Sequence, residues 1–261
     1  MARRPSHHSE FPAAALVRAR AGRAVSVCLP ARDEERTVGA IVTAVRRALV
    51  AGAGGVDLVD EVVVVDDGST DATAAAATAA GAKVVRAEEA GGGKGQALGL
   101  AVAEARGDVL VFLDADVENF SPHFVTGLLG PLLTGEDVAL VKGFYARPAD
   151  GAVGGGRVTE LVARPLIELL FPRLTHIRQP LAGESAAPRS VLEKTGLDPG
   201  YGIELGLLLD VAERFGVEAV AQVDLGVRVH RNRPLAELRP EATDVLRAAL
   251  ARARPPVGPA R

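Results

Sequence analysis

The chain alternates short runs rich in β-branched residues with longer helical stretches, and this alternation constrains its fold more than any other feature. The run E-V-V-V-V-D at 61–66 is continuously apolar between its ends, which is typical of a strand covered on both faces of a sheet. Strands are predicted at 25–29, 61–66, 83–86, 109–113 and 138–144. Helices are predicted between them, at about 34–50, from polar caps at 69–71 to about 81, from the 91–95 loop to about 107, and at 121–133. The βαβαβαβ order predicts an α/β fold with a mostly parallel, doubly wound, Rossmann-like central sheet flanked by helices.

The pattern becomes less regular after residue 145. Helices are predicted from residue 157, at 203–215 and at 237–252, and extended chain is predicted at 217–230 with a break near Gly226. The proline-rich tail at 254–261 is predicted to be flexible, because proline cannot continue a helix.

Composition excludes several classes of protein. With 48% hydrophobic and 24% charged residues over 261 positions, the chain is an ordinary globular protein and not a disordered one. Its net charge of −3 offers no general attraction to nucleic acid or anionic lipid, so any bound anion needs a local basic patch. The single cysteine, Cys28, is predicted to be a buried thiol. No apolar run approaches the ~18 residues of a membrane span. We therefore expect a cytoplasmic protein without nucleic-acid or membrane partners.

Acidic residues follow three of the predicted strands, in the segments P-A-R-D-E-E (30–35), D-D-G-S-T-D (66–71) and D-A-D (114–116). Ligands of open α/β sheets bind outside the carboxyl ends of the strands, so these segments are expected on one rim. Asp114 and Asp116 can together hold Mg²⁺ or Mn²⁺ with diphosphate oxygens. Turn and N-cap chemistry explains any one of these segments alone, but three on one rim favour a ligand site.

Two glycine-rich loops are suited to anions: G-G-G-K-G at 91–95 and G-G-G-R-V-T-E at 154–160. Backbone N–H groups at a helix start, joined by Lys94 in the first loop or by Arg157 and Thr159 in the second, can hold phosphate or carboxylate. The first loop lacks the Walker A spacing, and no G-x-G-x-x-G follows the first strand, which counts against a dinucleotide oxidoreductase. A solvated lysine and ordinary helix capping are the alternative interpretations.

The segment V-R-V-H-R-N-R at 227–233 alternates apolar and polar residues at its start. If it is extended, Arg228, His230 and Asn232 share one face, which places a candidate metal ligand between a guanidinium and an amide. A polar edge strand explains the same alternation.

Together these segments resemble the GT-A nucleotide-sugar glycosyltransferases, whose pattern combines P-x-x-x-E-E, V-V-D-D-G-S-T-D, G-K-G and D-A-D. Later segments are similar, more narrowly, to the retaining glucosyl-3-phosphoglycerate synthases of actinobacteria, which are related to the mannosyl-3-phosphoglycerate synthases. Those segments are 130–136, 154–166, 179–184 (Q-P-L-A-G-E), 199–210 and 221–235. The resemblance extends from about residue 22 to 250, and its later segments are more specific than the D-x-D triplet.

The resemblance implies a role for each matching residue. The nucleotide-sugar donor would contact Pro30, Ala31, Glu34, Asp67, Lys94, Asp114 and Asp116. The phosphate and carboxylate of 3-phosphoglycerate would contact Gly156, Arg157, Thr159 and Asn232. Asp116 and His230 would bind the Mg²⁺ or Mn²⁺ ion that bridges the diphosphate. The catalytic set would be Asp116, Arg228, Glu204 and Lys94, with Arg228 at the leaving group and Glu204 near the sugar hydroxyls.

The implied reaction is transfer of glucose from UDP-glucose to the 2-hydroxyl of 3-phosphoglycerate, with release of UDP. No carboxylate is clearly placed as a glycosyl nucleophile, so a same-face retaining transfer assisted by the leaving group is expected in place of a double displacement. Two alternatives stay open: a mannosyl-3-phosphoglycerate synthase that uses GDP-mannose, and a non-catalytic homologue that binds a nucleotide sugar.

The chain is expected to be organised in four parts. Residues 1–22 would be a lead-in, 23–145 the nucleotide-sugar-binding part, 146–253 the acceptor-binding part of the same globule, and 254–261 the tail. A homodimer is expected, in keeping with the frequency of symmetric dimers among soluble proteins.

Overall fold

An eight-stranded sheet forms the centre of the molecule in the computed structural model, which describes residues 3–87, 92–147, 156–229, 234 and 237–253. The strands are β1 (Ser6–His7), β2 (Val25–Ala31), β3 (Glu61–Asp66), β4 (Lys83–Arg86), β5 (Val109–Phe112), β6 (Leu140–Ala146), β7 (Ser185–Pro188) and β8 (Val220–Val227). The helices are α1 (Ala13–Ala19), α2 (Val38–Leu49), α3 (Thr73–Ala79), α4 (Gly93–Glu104), α5 (His123–Thr134), α6 (Arg164–Leu170), α7 (Arg189–Leu192), α8 (Ile203–Phe215) and α9 (Leu238–Arg252). A π-helical turn at Thr159–Ala163 leads into α6.

The sheet is mostly parallel, with the strand order β1-β8-β6-β7-β5-β2-β3-β4. Strand β2 pairs in parallel with β3 and β5, and β8 pairs in parallel with β6 and β1. Strand β7 runs antiparallel to both of its neighbours, β5 and β6. The predicted fold class, a mostly parallel α/β sheet flanked by helices, is confirmed.

Apolar layers cover both faces of the sheet. Val63, Val64 and Val65 of β3 are fully excluded from solvent, which explains why this strand reads as a continuous apolar run. One layer packs beneath α1, α2 and α5, and the other beneath α4, α8 and α9. Within the described ranges, no helix combines the length and the apolar character needed to cross a membrane.

Helix α2 begins at Val38, four residues later than predicted, because the loop before it is tied to the loop after β3. The backbone N–H of Asp33 donates to Ser69 Oγ at 3.0 Å, and that of Glu34 donates to Thr73 Oγ1 at 2.8 Å. The side chains of Ser69 and Thr73 thus satisfy N–H groups that a longer helix would have left unpaired at its start. The two acidic segments that follow β2 and β3 are held side by side.

Two strands lie outside the predicted pattern. The segment S-A-A-P of β7 has little intrinsic strand propensity, and its place is set by the pairing of Ala186 with Val111 on one side and Val141 on the other. Strand β1 has two residues and joins the sheet edge from the predicted lead-in. Strand β8 is also shorter than the extended segment predicted at 217–230.

Candidate active site

A cavity of about 260 Å³ opens at the carboxyl ends of the parallel strands. The predicted site residues that the structure describes all line it: Pro30, Ala31, Glu34, Asp67, Lys94, Asp114, Asp116, Gly156, Arg157, Thr159, Glu204 and Arg228. His230 and Asn232 lie outside the described residues. The topology explains this gathering, because residues that follow β2, β3, β5 and β8 emerge at the same edge of the sheet.

Lys94 in the first turn of α4 lies between two carboxylates. Its Nζ is 2.6 Å from Asp114 Oδ1 and 2.6 Å from Glu204 Oε1. Asp114 follows β5 and Glu204 lies in the first turn of α8, so this lysine joins three elements that are distant in the sequence. The N-terminal turn of α4 also packs closely against the 198–200 loop, since a Cβ at Gly95 would lie 1.8 Å from the Asp198 carbonyl oxygen.

Arg228 is buried immediately after β8 and contacts three carboxylates. Its Nη2 lies 2.9 Å from Asp114 Oδ2 and 2.6 Å from Asp116 Oδ1. Its Nε lies 3.2 Å from Glu184 Oε1, and its Nη1 donates to the Tyr145 hydroxyl at 2.5 Å. Both Nη atoms therefore face fixed oxygens, which set the direction of the guanidinium, whereas Nε is near Glu184 by charge alone and makes no hydrogen bond among the described residues.

Ion pairing and burial set the ionisation of these groups. Burial alone would lower the pKa of Lys94, but Asp114 and Glu204 raise it well above its ordinary range. Burial would raise the pKa of Asp114, yet Lys94 and Arg228 hold it far below its usual value. Burial raises the pKa of Glu184, and Arg228 only partly opposes this. Lys94 and Asp114 are therefore charged at neutral pH.

Three residues of this network lie outside the sequence predictions: Lys142, Tyr145 and Glu184. Glu184 is fully buried, and neither of its carboxylate oxygens has a hydrogen-bond partner among the described residues. Lys142 is also buried and donates from Nζ to the carbonyl oxygen of Ala182 at 2.5 Å. The sequence signal for both is a single charge in an otherwise apolar run, L-V-K-G-F-Y for the lysine and P-L-A-G-E for the glutamate.

The loop at 179–184 is held against β6 and beneath the Lys94 ion pairs. The Gln179 side chain donates to the Tyr145 carbonyl oxygen at 2.7 Å and accepts from the Tyr145 N–H at 3.3 Å. A Cβ at Gly183 would lie 2.1 Å from Asp114 Oδ1 and 2.5 Å from Lys94 Nζ. Only glycine therefore fits at position 183 while this ion pair is kept.

The other end of the cavity is formed where a helical segment begins at residue 157. Gly156 has a φ of +95°, in the left-handed region that favours glycine, and Arg157 and Thr159 follow it. All three residues line the cavity, and Thr159 is almost fully buried. Arg147, which follows β6, lines the same end. Backbone N–H groups and guanidinium groups here form a surface suited to an anion.

The carboxylates after β5 have the donor chemistry that a hard divalent cation requires. Asp114 and Asp116 supply carboxylate oxygens at the cavity wall, and such oxygens suit Mg²⁺ and Mn²⁺. Among the described residues, no three His, Cys, Asp or Glu side chains converge on one ion position. Asp114 and Asp116 therefore fit part of a divalent-cation site, and the resemblance implies His230 as a further ligand.

The fold and this cavity are those of a nucleotide-sugar glycosyltransferase, and comparison with known proteins agrees. Residues 26–186 match the profile of glycosyl transferase family 2. A glucosyl-3-phosphoglycerate synthase of Mycolicibacterium paratuberculosis is 49% identical over 92% of this chain and 75% of its own length. That of Mycolicibacterium smegmatis is 50% identical over 91% of this chain and 80% of its own length. The chain belongs to glycosyl transferase family 2 and, within it, to the glucosyl-3-phosphoglycerate synthases.

Solved structures give the same result. The Mycobacterium tuberculosis glucosyl-3-phosphoglycerate synthase in complex with phosphoglyceric acid superimposes with a TM-score of 0.86 at 45% identity, covering 97% of this chain and 88% of that one. Its complex with Mn²⁺, UDP-glucose and phosphoglyceric acid superimposes with a TM-score of 0.84 at 46% identity, covering 96% and 85%. The family resemblance found in the sequence is thereby confirmed.

Proposed function

We propose that this chain is a metal-dependent, retaining glycosyltransferase that moves glucose from UDP-glucose to the 2-hydroxyl of 3-phosphoglycerate. The observation that carries the proposal is that one cavity is lined both by the ion-paired carboxylates Asp114 and Asp116 and by Gly156 and Arg157 at the start of a helical segment. A transferase needs both features, because it must stabilise a leaving diphosphate and hold an acceptor beside it. The names of the relatives and the ligands of the Mycobacterium tuberculosis enzyme support the same reaction.

At the donor end, Pro30, Ala31, Glu34 and Asp67 receive the nucleotide, and Lys94 and Arg228 direct positive charge towards the diphosphate. Their carboxylate partners fix their positions, so the site needs little reorganisation when charge develops on the leaving group. Asp116 and His230 would hold a Mg²⁺ or Mn²⁺ ion, which would supply further positive charge to stabilise the leaving diphosphate. The Mycobacterium tuberculosis enzyme has been solved with Mn²⁺ and with Mg²⁺.

At the acceptor end, Gly156, Arg157, Thr159 and Asn232 hold the phosphate and carboxylate of 3-phosphoglycerate. The bond between the anomeric carbon and the diphosphate oxygen breaks, and the 2-hydroxyl oxygen bonds to the same face of that carbon. The hydroxyl proton passes to the leaving phosphate oxygen, so UDP departs. Glu204 accepts hydrogen bonds from the hydroxyl groups of the sugar. It does not act as a nucleophile, because its negative charge is paired with Lys94 at 2.6 Å.

The proposal includes the arrangement expected from the sequence. Residues 23–145 supply mainly the donor end and 146–253 mainly the acceptor end, and the protein acts as a cytoplasmic homodimer. Light scattering on the purified protein tests the dimer directly.

The deciding experiment is an endpoint assay with 3-phosphoglycerate and Mg²⁺ or Mn²⁺. UDP-glucose, GDP-glucose and GDP-mannose are offered separately, and both nucleoside diphosphate release and the glycosylated acid are measured. Glucose transfer from UDP-glucose that EDTA abolishes supports the proposal, and an α-configured product supports retention. Transfer from GDP-mannose alone would make the chain a mannosyl-3-phosphoglycerate synthase. UDP binding without transfer from any donor would identify a non-catalytic homologue.

A further inference from the structure

Arg147 differs from the ion-paired cations of the cavity because no carboxylate among the described residues pairs with it. Lys94 contacts two carboxylates and Arg228 contacts three. In the part of the chain that the structure describes, no carboxylate lies within ion-pair distance of the Arg147 guanidinium, although this residue lines the cavity and is half-buried. A partly desolvated cation without a counterion is costly unless a ligand supplies the negative charge.

The Arg147 side chain is nevertheless held in one place. Its guanidinium stacks on the Tyr145 ring at 5.0 Å from the centroid, and its Nη2 donates to the Tyr145 hydroxyl at 3.3 Å. Its Nε is buried and has no hydrogen-bond partner among the described residues. Stacking of this kind fixes the plane of a guanidinium and leaves its N–H groups available to a further acceptor.

The guanidinium also lies beside the helix start that forms the acceptor end. A Cβ built on Gly156 would lie 2.8 Å from Arg147 Nη1, so glycine at this position makes room for the arginine. Arg157 and Thr159 line the same end of the cavity. An anion held by the first N–H groups of this helical segment is therefore within reach of Arg147.

We propose that Arg147 is a further acceptor-binding residue, which donates hydrogen bonds to an anionic group of the phosphorylated acid. The proposal rests on the proposed function and adds to it a cation that no sequence motif assigned. Tyr145 positions this arginine and also accepts a hydrogen bond from Arg228 at 2.5 Å. One hydroxyl thus connects the cation at the acceptor end with the cation at the leaving group.

The test compares three variants of the full-length protein. Arg147→Gln is expected to raise the KM for 3-phosphoglycerate at least about tenfold, as the loss of a charge-assisted hydrogen bond implies, with little change in the KM for UDP-glucose. Arg157→Gln serves as the comparison at the predicted acceptor residue. Arg178→Gln is the matched control, because Arg178 stacks on Phe144 of the same strand at 4.5 Å but does not line this cavity. The control is expected to keep both KM values.

Calorimetry of 3-phosphoglycerate binding to the protein with UDP and Mg²⁺ supplies a second measurement that does not depend on turnover. Weaker binding by Arg147→Gln, restored in part by Arg147→Lys, supports the proposal. Equal binding by wild type and Arg147→Gln overturns it. If the wild type transfers no glucose, the proposed function fails, and the binding data still decide the role of Arg147.

Glycerol 3-phosphate, which lacks the carboxylate, identifies the group that Arg147 contacts. A penalty with both acceptors assigns Arg147 to the phosphate, and a penalty with 3-phosphoglycerate alone assigns it to the carboxylate. A penalty with neither acceptor contradicts the proposal. Circular dichroism of each variant, with Arg147→Lys as the less disruptive replacement, separates a binding defect from misfolding.

Discussion

The two ends of the cavity hold their positive charges in different ways. At the donor end, Lys94 and Arg228 are buried among carboxylates that hold them in place. At the acceptor end, Arg147 is held by an aromatic ring and a hydroxyl, with no carboxylate beside it in the described residues. Fixed ion pairs suit a site that stabilises charge developing on a leaving group, whereas a cation without a carboxylate suits a substrate that brings its own charge.

The largest effect on catalysis is expected at Asp116, which lines the donor end of the cavity and is a proposed metal ligand. Asp116→Asn removes the charge that faces Arg228 at 2.6 Å and should lower kcat by about 100-fold or more. Steady-state kinetics and metal titration measure the effect. Glu118→Gln is the matched control, since Glu118 is exposed two residues further on. Turnover of Asp116→Asn close to that of the control would remove Asp116 from the metal site.

An intermediate effect is expected from Gly183→Ala, which disturbs the donor end without removing a charge. The added methyl group would overlap Asp114 and Lys94, so their ion pair must shift. A displacement of about 1 Å in such a site lowers kcat by about 10-fold to 100-fold. The KM for 3-phosphoglycerate should change little if the two ends are separate. Gly52→Ala, where no atom lies within 4 Å of the added carbon, is the control, and equal activity of the two variants would contradict the role of Gly183.

The smallest effect on catalysis is expected at Lys142, beneath the 179–184 loop, where the effect is on stability. Burial lowers the pKa of Lys142 from 10.5 to about 8 in the folded protein, which corresponds to about 3 kcal/mol. The unfolded chain therefore binds more protons between pH 8 and 10.5, and the stability of the wild type should rise over that interval relative to Lys142→Met. Urea unfolding at pH 7.5, 9 and 10.5 measures the difference between the two proteins.

Lys83→Met is the control for this prediction, because Lys83 is a partly exposed lysine paired with Glu104. If the difference in the free energy of unfolding between wild type and Lys142→Met stays constant with pH, then burial does not lower the pKa of Lys142.

The parts of the site that depend on local order along the chain could be predicted from the sequence. Asp114 and Asp116 could be placed because they follow a continuous apolar strand, and Gly156 and Arg157 because glycine precedes a helical pattern. Glu184 and Lys142 were missed because their importance arises from burial, and a single charge in an apolar run does not identify its partner. Strand β7 was missed because serine, alanine and proline form a strand there only when β5 and β6 lie on both sides.

The sequence by itself therefore determined the alternation of strands and helices, the rim on which the acidic residues lie, and the family. The tertiary structure decided which charges meet. Lys94 and Glu204 are 110 positions apart in sequence and 2.6 Å apart in space, and no local pattern encodes such a distance. Contacts of this kind depend on how the sheet orders its strands, because burial and pairing energies act between neighbours in space and not along the chain.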